Sequence, residues 1–171
     1  EGLKHRMPAE LKKYQKLLVS EVNYHKFLQY LAFSQWQKLK KYARQKKIQL
    51  IGDLPIFVAH NSADVWVDPE LFKLNADGRL AVIAGVPPDY FNPNGQVWNL
   101  PLYNWTNHVE TGFAWWLKRI QATLRLVELI RLDHFRGFEA CYEIPISGNA
   151  HHGQWVKTPG REFFQAILKN I

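Results

Sequence analysis

Two aspartates in this 171-residue chain each close a short run of strand-forming residues. Asp53 follows Ile48-Gln49-Leu50-Ile51 and Gly52, and Asp133 follows Val127-Glu128-Leu129-Ile130 and Arg131-Leu132. In parallel α/β folds the working side chains project from the carboxyl ends of strands, so a carboxylate there is placed for chemistry. The plainer alternative for each is a turn or capping residue. The neighbours of Asp133 weigh against that alternative. Arg131 lies two positions earlier, and side chains two apart on a strand point to the same side. A guanidinium beside a carboxylate favours its charged form and fixes its orientation, as a nucleophilic carboxylate requires. His134, Phe135 and Arg136 follow directly. Such a strand end is too polar for a core and too apolar for a bland loop.

A second group of chemical interest runs from Val82 through Pro87, Pro88, Asp89, Tyr90 and Phe91 to Gly95, Gln96 and Trp98. Sugar rings present apolar C–H faces and hydroxyl edges, so aromatic rings set among Asp, Asn and Gln suit an oligosaccharide. The run has neither a helical nor a strand period and its two prolines stiffen the backbone, which reads as a binding loop rather than core.

These side chains need elements to hold them. Pro8 opens a first helical turn, and a longer helix is expected from about Val22 to Lys47, with Leu28, Leu31, Leu39 and Tyr42 on a buried face interrupted by Gln35. A strand at Ile48–Ile51 follows with almost no linker. Val58 to Tyr103 reads as one long excursion without regular structure, rich in proline, glycine and large aromatics, which argue against disorder. A second helix is expected from about Thr106 to Arg125, with Phe113, Leu117, Ile120 and Leu124 on one face, passing into the strand that ends at Asp133. Beyond it come an aromatic turn, a loop rich in Gly and His, and a helix opening after Pro159-Gly160. Helix followed by strand, twice, points to parallel strands with covering helices, an α/β fold.

Composition sets outer limits. With 47% apolar and 22% charged residues the chain has the means to bury a core, but it is shorter than the roughly 250 residues of a complete eight-stranded α/β barrel. The formal charge is +7, and Lys38, Lys40, Lys41, Arg44, Lys46 and Lys47 cluster at the end of the first long helix, where cations complement the helix dipole. A single cysteine, Cys141, leaves no internal disulfide. No stretch of 18 apolar residues is present. The expected setting is soluble and cytoplasmic, with no membrane partner.

Three stretches carry a family resemblance. Gly52-Asp53-Leu54-Pro55-Ile56-Phe57-Val58-Ala59 with Ser62-Ala63-Asp64-Val65-Trp66 resembles the first sequence signature of the amylomaltases, the 4-alpha-glucanotransferases of the alpha-amylase superfamily. Ala84 to Phe91 resembles their acceptor-side loop, and Arg131-Leu132-Asp133-His134-Phe135-Arg136-Gly137-Phe138 resembles the motif that bears their nucleophile. Trp155, Pro159, Gly160 and Phe163-Phe164 fit the segment that follows. The resemblance implies part of a (β/α)₈ TIM barrel with a long aromatic loop insertion. Residues 1–171 would be an interior fragment of the catalytic domain, with about the third and fourth strands. It further implies Asp133 as nucleophile, Arg131 and His134 beside it, and Asp53 gripping the donor sugar. Asp89, Tyr90, Phe91, Gln96 and Trp98 would line the subsites. The implied partners are maltooligosaccharides and other alpha-1,4-glucans, with no cofactor, no metal and no nucleic acid. Asn99-Leu100 after Trp98, and Cys141-Tyr142, depart from the family pattern; the second pair is expected to alter packing behind the site.

The family's acid/base glutamate and third aspartate have no counterpart after Asp133, where the nearest candidates, Glu139 and Glu143, sit beyond Gly137 in a segment heading away from the strand end, so the chain alone is expected to be inactive. His151-His152 lacks the further ligands of a metal site. The competing class is a noncatalytic glucan-binding module using the aromatic loop. An RNA-binding reading of the charge would show affinity that collapses with salt.

Overall fold

The computed structural model describes residues 1–171. Its helices are α1 (Pro8–Leu17), α2 (Val19–Gln45), α3 (Ala63–Val67), α4 (Trp105–Glu110), α5 (Ala114–Leu126) and α6 (Gly160–Asn170). Its strands are β1 (Ile51–Leu54), β2 (Val82–Val86), β3 (Gln96–Pro101), β4 (Leu129–Leu132), β5 (Ala140–Pro145) and β6 (Gln154–Lys157). The chain divides into two compact units, Glu1–Gly52 with Leu124–Ile130 and Asp53–Thr123 with Arg131–Ile171.

In the first unit α2 stops where the sequence supplies no glycine. Lys47 takes the left-handed conformation (φ 58°), its N–H bonds to the Arg44 carbonyl at 3.0 Å, and Ile48 N–H reaches back to the Ala43 carbonyl at 2.9 Å. This is a Schellman termination with lysine in the usual glycine position. It occupies Ile48, so β1 starts three residues later than the sequence suggested. The expected buried face of α2 also differs. Leu28, Leu39 and Tyr42 are exposed, and the packed side lies about one residue round, at Trp36, Lys40 and Ala43. Trp36 donates its indole N–H to the Leu126 carbonyl at 2.7 Å. Lys40 Nζ donates to the carbonyls of Arg125 (3.0 Å) and Val127 (3.3 Å) and pairs with Glu128 at 3.5 Å. A hydrophobic pattern does not register these polar anchors. One member of the lysine cluster therefore caps the C-terminus of α5, where a cation is favoured by the exposed carbonyls.

β1 and β4 form a two-stranded sheet. The Leu50 carbonyl accepts from the N–H groups of Glu128 and Leu129, and the Leu54 carbonyl accepts from Asp133 N–H at 3.3 Å. Partner numbers rise together, so the strands are parallel and both expected aspartates sit at the same end.

The second unit holds a four-stranded sheet in the order β3-β2-β5-β6, antiparallel throughout. No local pattern announces it. β2 lies inside the expected irregular excursion and pairs on both sides; its middle residues Ile83, Ala84 and Gly85 are all buried, so no alternation marks it. Its partner β5 arrives more than fifty residues later. The single helix expected over Thr106–Arg125 is broken between α4 and α5, where Gly112 and Phe113 both have positive φ (58° and 60°). The break turns Phe113 inward, and Phe113, Trp116 and Ile120 are then buried. Trp116 and Phe163 meet at 5.2 Å and Phe138 stacks on Phe163 at 4.9 Å, joining α5, α6 and the turn after β4 in one aromatic core.

His108 is fully buried in that core, its ring 5.2 Å from Tyr103, and burial pushes its pKa down to about 4. The unfolded chain takes up a proton on this residue near pH 6.5, whereas the folded chain resists until about 4. The stability present above pH 6.5 is therefore lost as the pH falls toward 4, by roughly 3 kcal/mol. Guanidinium unfolding followed by tryptophan fluorescence at pH 7 and pH 4 should show this loss, and His108→Phe should remove that component of it.

Candidate active site

The residues at the carboxyl ends of β1 and β4 come together through one side chain. Arg131 donates from Nη1 to Asp53 Oδ1 at 2.9 Å and from Nη2 to Asp133 Oδ1 at 2.6 Å. The parallel pairing explains the geometry, because it sets Asp53 and Arg131 on neighbouring strands while Asp133 follows two residues after Arg131 on the same side. All three side chains are about half exposed, open to a ligand rather than sealed in the core.

His134 forms the wall of this group. Its backbone is left-handed (φ 46°, ψ 51°), turning the ring away from the strand direction. The imidazole meets Trp98 edge to face at 4.9 Å and lies 6.4 Å from Phe57. Its Nε2 is buried without a hydrogen-bond partner. Burial pushes its pKa down, against the charge of Asp133 and with that of Arg136, so the ring is neutral at neutral pH. Trp98 is itself held by β3, where its indole N–H donates to Gln96 Oε1 at 2.9 Å. Asn99, one of the departures from the family pattern, takes a positive φ of 55° beside it.

Asp89, Tyr90 and Phe91 make a separate group. Asp89 Oδ1 accepts from the N–H groups of Phe91 (2.9 Å) and Asn92 (2.7 Å), and Asn92 Nδ2 donates to the Gly95 carbonyl at 2.8 Å. The Asp89 carboxylate is thus folded onto its own loop, an Asx turn. Tyr90 and Phe91 are 95% and 91% exposed, and their rings touch each other at 5.6 Å. Asp53, Arg131, Asp133, His134, Trp98 and Gln96 form one connected set. The aromatic pair stands apart from it.

Behind the site, Cys141 is buried with its Sγ 3.1 Å from the Gly137 carbonyl, and burial pushes its thiol up to about 12. Tyr142 donates to the Ala150 carbonyl at 2.7 Å. Both departures from the family pattern therefore fall in packing. Glu143 is ion-paired with Lys73. His152 closes a capping box with Asn149. The sequence reading overlooked Phe57, whose ring lies between Tyr103, Trp98 and His134, and the supports of the chain just after Asp53; neither has a signal in residue type alone.

A chain that sets ionisable side chains at the carboxyl ends of adjacent parallel strands has the construction of an α/β enzyme. The family described as 4-alpha-glucanotransferase matches residues 1–171, and the chain belongs to that family. It is 51% identical over 168 residues to a 4-alpha-glucanotransferase of Synechocystis sp., covering 97% of this chain and 33% of that protein. A relative from Solanum tuberosum, named as the chloroplastic/amyloplastic 4-alpha-glucanotransferase, is 43% identical over 144 residues, covering 84% of this chain and 25% of its own length. Among solved structures, an amylomaltase from Streptococcus agalactiae in complex with acarbose superposes with a TM-score of 0.96 at 42% identity, over 99% of this chain and 34% of that one. The chain spans about a third of the length of the relatives it matches.

Gly137 packs closely behind the His134 ring. A Cβ there would lie 2.5 Å from Ile56 Cδ1 and 3.0 Å from His134 Cδ2. Gly137→Ala should destabilise the fold by about 1–3 kcal/mol in guanidinium titrations. It should also shift the His134 ring resonances in NMR spectra, since the ring must move relative to Trp98.

Proposed function

We propose that this chain supplies the nucleophile-bearing part of a 4-alpha-glucanotransferase, a (β/α)₈ barrel enzyme that moves alpha-1,4-glucan segments to the 4-hydroxyl of an acceptor sugar. Residues 1–171 then contribute about the third and fourth strands, their helices and the aromatic insertion. The observation that carries this reading is the single guanidinium of Arg131 bonded to both Asp53 and Asp133 at adjacent strand ends.

In the proposed reaction Asp133 attacks the anomeric carbon of the donor while a second carboxyl group protonates the departing glycosidic oxygen, leaving a covalent glucosyl-enzyme. The acceptor 4-hydroxyl gives its proton to that same group and attacks the anomeric carbon, freeing Asp133 and retaining configuration. Arg131 holds Asp133 in line, and the second oxygen of each aspartate is left for substrate. Asp53 grips the donor sugar. Trp98 and His134 form the apolar side, with Gln96 on the same strand. Tyr90 and Phe91 offer the stacking platform for acceptor or donor rings, held outward by Asp89. Displacing water from the intermediate favours transfer over hydrolysis.

Asp53 and Asp133 both accept from one cation, and Glu143 is tied to Lys73, so none of them is placed to protonate the leaving oxygen. On the family resemblance that carboxyl comes from a part of the enzyme outside residues 1–171, and residues 1–171 alone are expected to be inactive. Maltooligosaccharides are the expected partners. No helix is long and apolar enough to cross a membrane, which suits a cytoplasmic or, in a plant or alga, a plastid enzyme. The exposed Tyr90 and Phe91 also suit a second reading, a glucan-binding module without catalysis.

A chimera separates the two. Residues 1–171 replace the matching third of the Synechocystis relative, and glucose release from maltotriose is followed. The chimera should transfer, Asp133→Asn should lower the rate at least about 10³-fold, and maltooligosaccharide affinity should stay within a few-fold. Equal rates with and without Asp133→Asn would sink the enzyme reading, and binding without transfer in the unsubstituted chimera would favour the module.

A further inference from the structure

The three carbonyls that follow Asp53 each accept from a different donor. Leu54 O takes the backbone N–H of Asp133 at 3.3 Å, Pro55 O takes Arg119 Nη2 at 2.8 Å, and Ile56 O takes the Tyr103 hydroxyl at 2.6 Å. Only the first belongs to the sheet. Past Leu54 the β1 backbone has left its neighbour, and nothing in β4 reaches it. The two side-chain donors replace the missing ladder.

Each is anchored in the aromatic core. Arg119 lies on α5 with its guanidinium 5.3 Å from the Trp115 ring and 5.2 Å from the Trp116 ring, a pairing that offsets part of the cost of removing the charge from water. Tyr103 is buried against Phe72, Trp116 and Phe57, and burial pushes its phenol up, so it stays a donor at any working pH. An apolar residue at position 119 would pack between the two indoles without a buried cation. What the cation adds is the bond to Pro55, two residues from Asp53.

We infer that Arg119 is a positioning residue for the donor-sugar grip: through the Pro55 carbonyl it holds the backbone on which Asp53 stands at the distance where Arg131 joins Asp53 to Asp133. The inference rests on the proposed role of Asp53. Loss of the Arg119 bond lets residues 55–57 relax away from α5, and Asp53 and Phe57 move with them. The effect falls on binding of the donor more than on chemistry at Asp133, because Asp133 keeps its own bonds to Arg131 and to the Leu54 carbonyl.

The test is a double-substitution cycle in the chimera described above, with maltotriose as donor. Arg119→Met keeps the length and packing of the side chain and removes the donor. It should raise KM about tenfold with kcat changed less than threefold, and Arg119→Lys should recover at least half of that loss. In an Asp53→Asn background, Arg119→Met should change KM less than twofold, since the group it positions is already gone. Equal effects of Arg119→Met in both backgrounds, or no effect in either, would overturn the inference; if the methionine variant does not fold, the same cycle is read with Arg119→Lys. Should Asp53→Asn alone leave KM and kcat unchanged, the proposed role of Asp53 fails instead, an outcome distinct from additivity.

Discussion

The bond from Asp133 N–H to the Leu54 carbonyl is the last rung of a parallel pairing, and the arrangement of the site depends on it. Parallel register means both strands deliver their final residues to the same end. Once that rung is made, Asp53 and Arg131 are neighbours across the sheet and Asp133 is two residues along from Arg131. One planar guanidinium, with N–H groups in a fixed fork, then spans two carboxylates without help from any loop. A slip of one residue would turn Arg131 and Asp133 together to the other face and leave Asp53 without its cation.

Polar contacts also hold the start of each strand. Lys40 occupies the carbonyls where α5 gives way to β4, and Glu128 accepts from Leu50 N–H at 3.1 Å while pairing with Lys40. The backbone N–H of Leu50 first, then Lys40 and Arg44, lower the pKa of Glu128 against the effect of burial. These contacts fix the beginning of both strands within the first unit. In the second unit Trp116, Phe138 and Phe163 are among the largest fully buried side chains.

Much of this was legible in the sequence for a physical reason. Asp53 and Asp133 terminate runs that have strand character whatever the rest of the chain does, and the two-residue spacing of Arg131 and Asp133 states that they share a face. Helix then strand, twice, was enough for α/β. What escaped the reading was non-local. Ile83, Ala84 and Gly85 are buried in succession in a strand paired along both edges by β3 and β5, and no local period betrays a central strand. The α2 face was assigned from leucines, while the structure uses a tryptophan N–H and a lysine. Asp89 looked like a ligand for sugar because its type is right; only the path of the backbone reveals that its oxygen is already taken by Phe91 and Asn92. The family membership of the chain agrees with the motifs, which are contiguous and so survive without knowledge of the fold.

The loop from Asp89 to Gly95 carries its own hydrogen bonds: two into the Asp89 carboxylate, one from the Asn92 side chain, and backbone bonds between Asp89 and Asn92 and between Gly95 and Asn92. None of these reaches the carboxylates. Tyr90 and Phe91 therefore sit on a self-contained rigid body whose conformational entropy is already spent in the unliganded chain. On such a loop little backbone freedom remains to be lost when a ligand meets the two exposed rings, so the ordering cost of that encounter falls on the side chains alone.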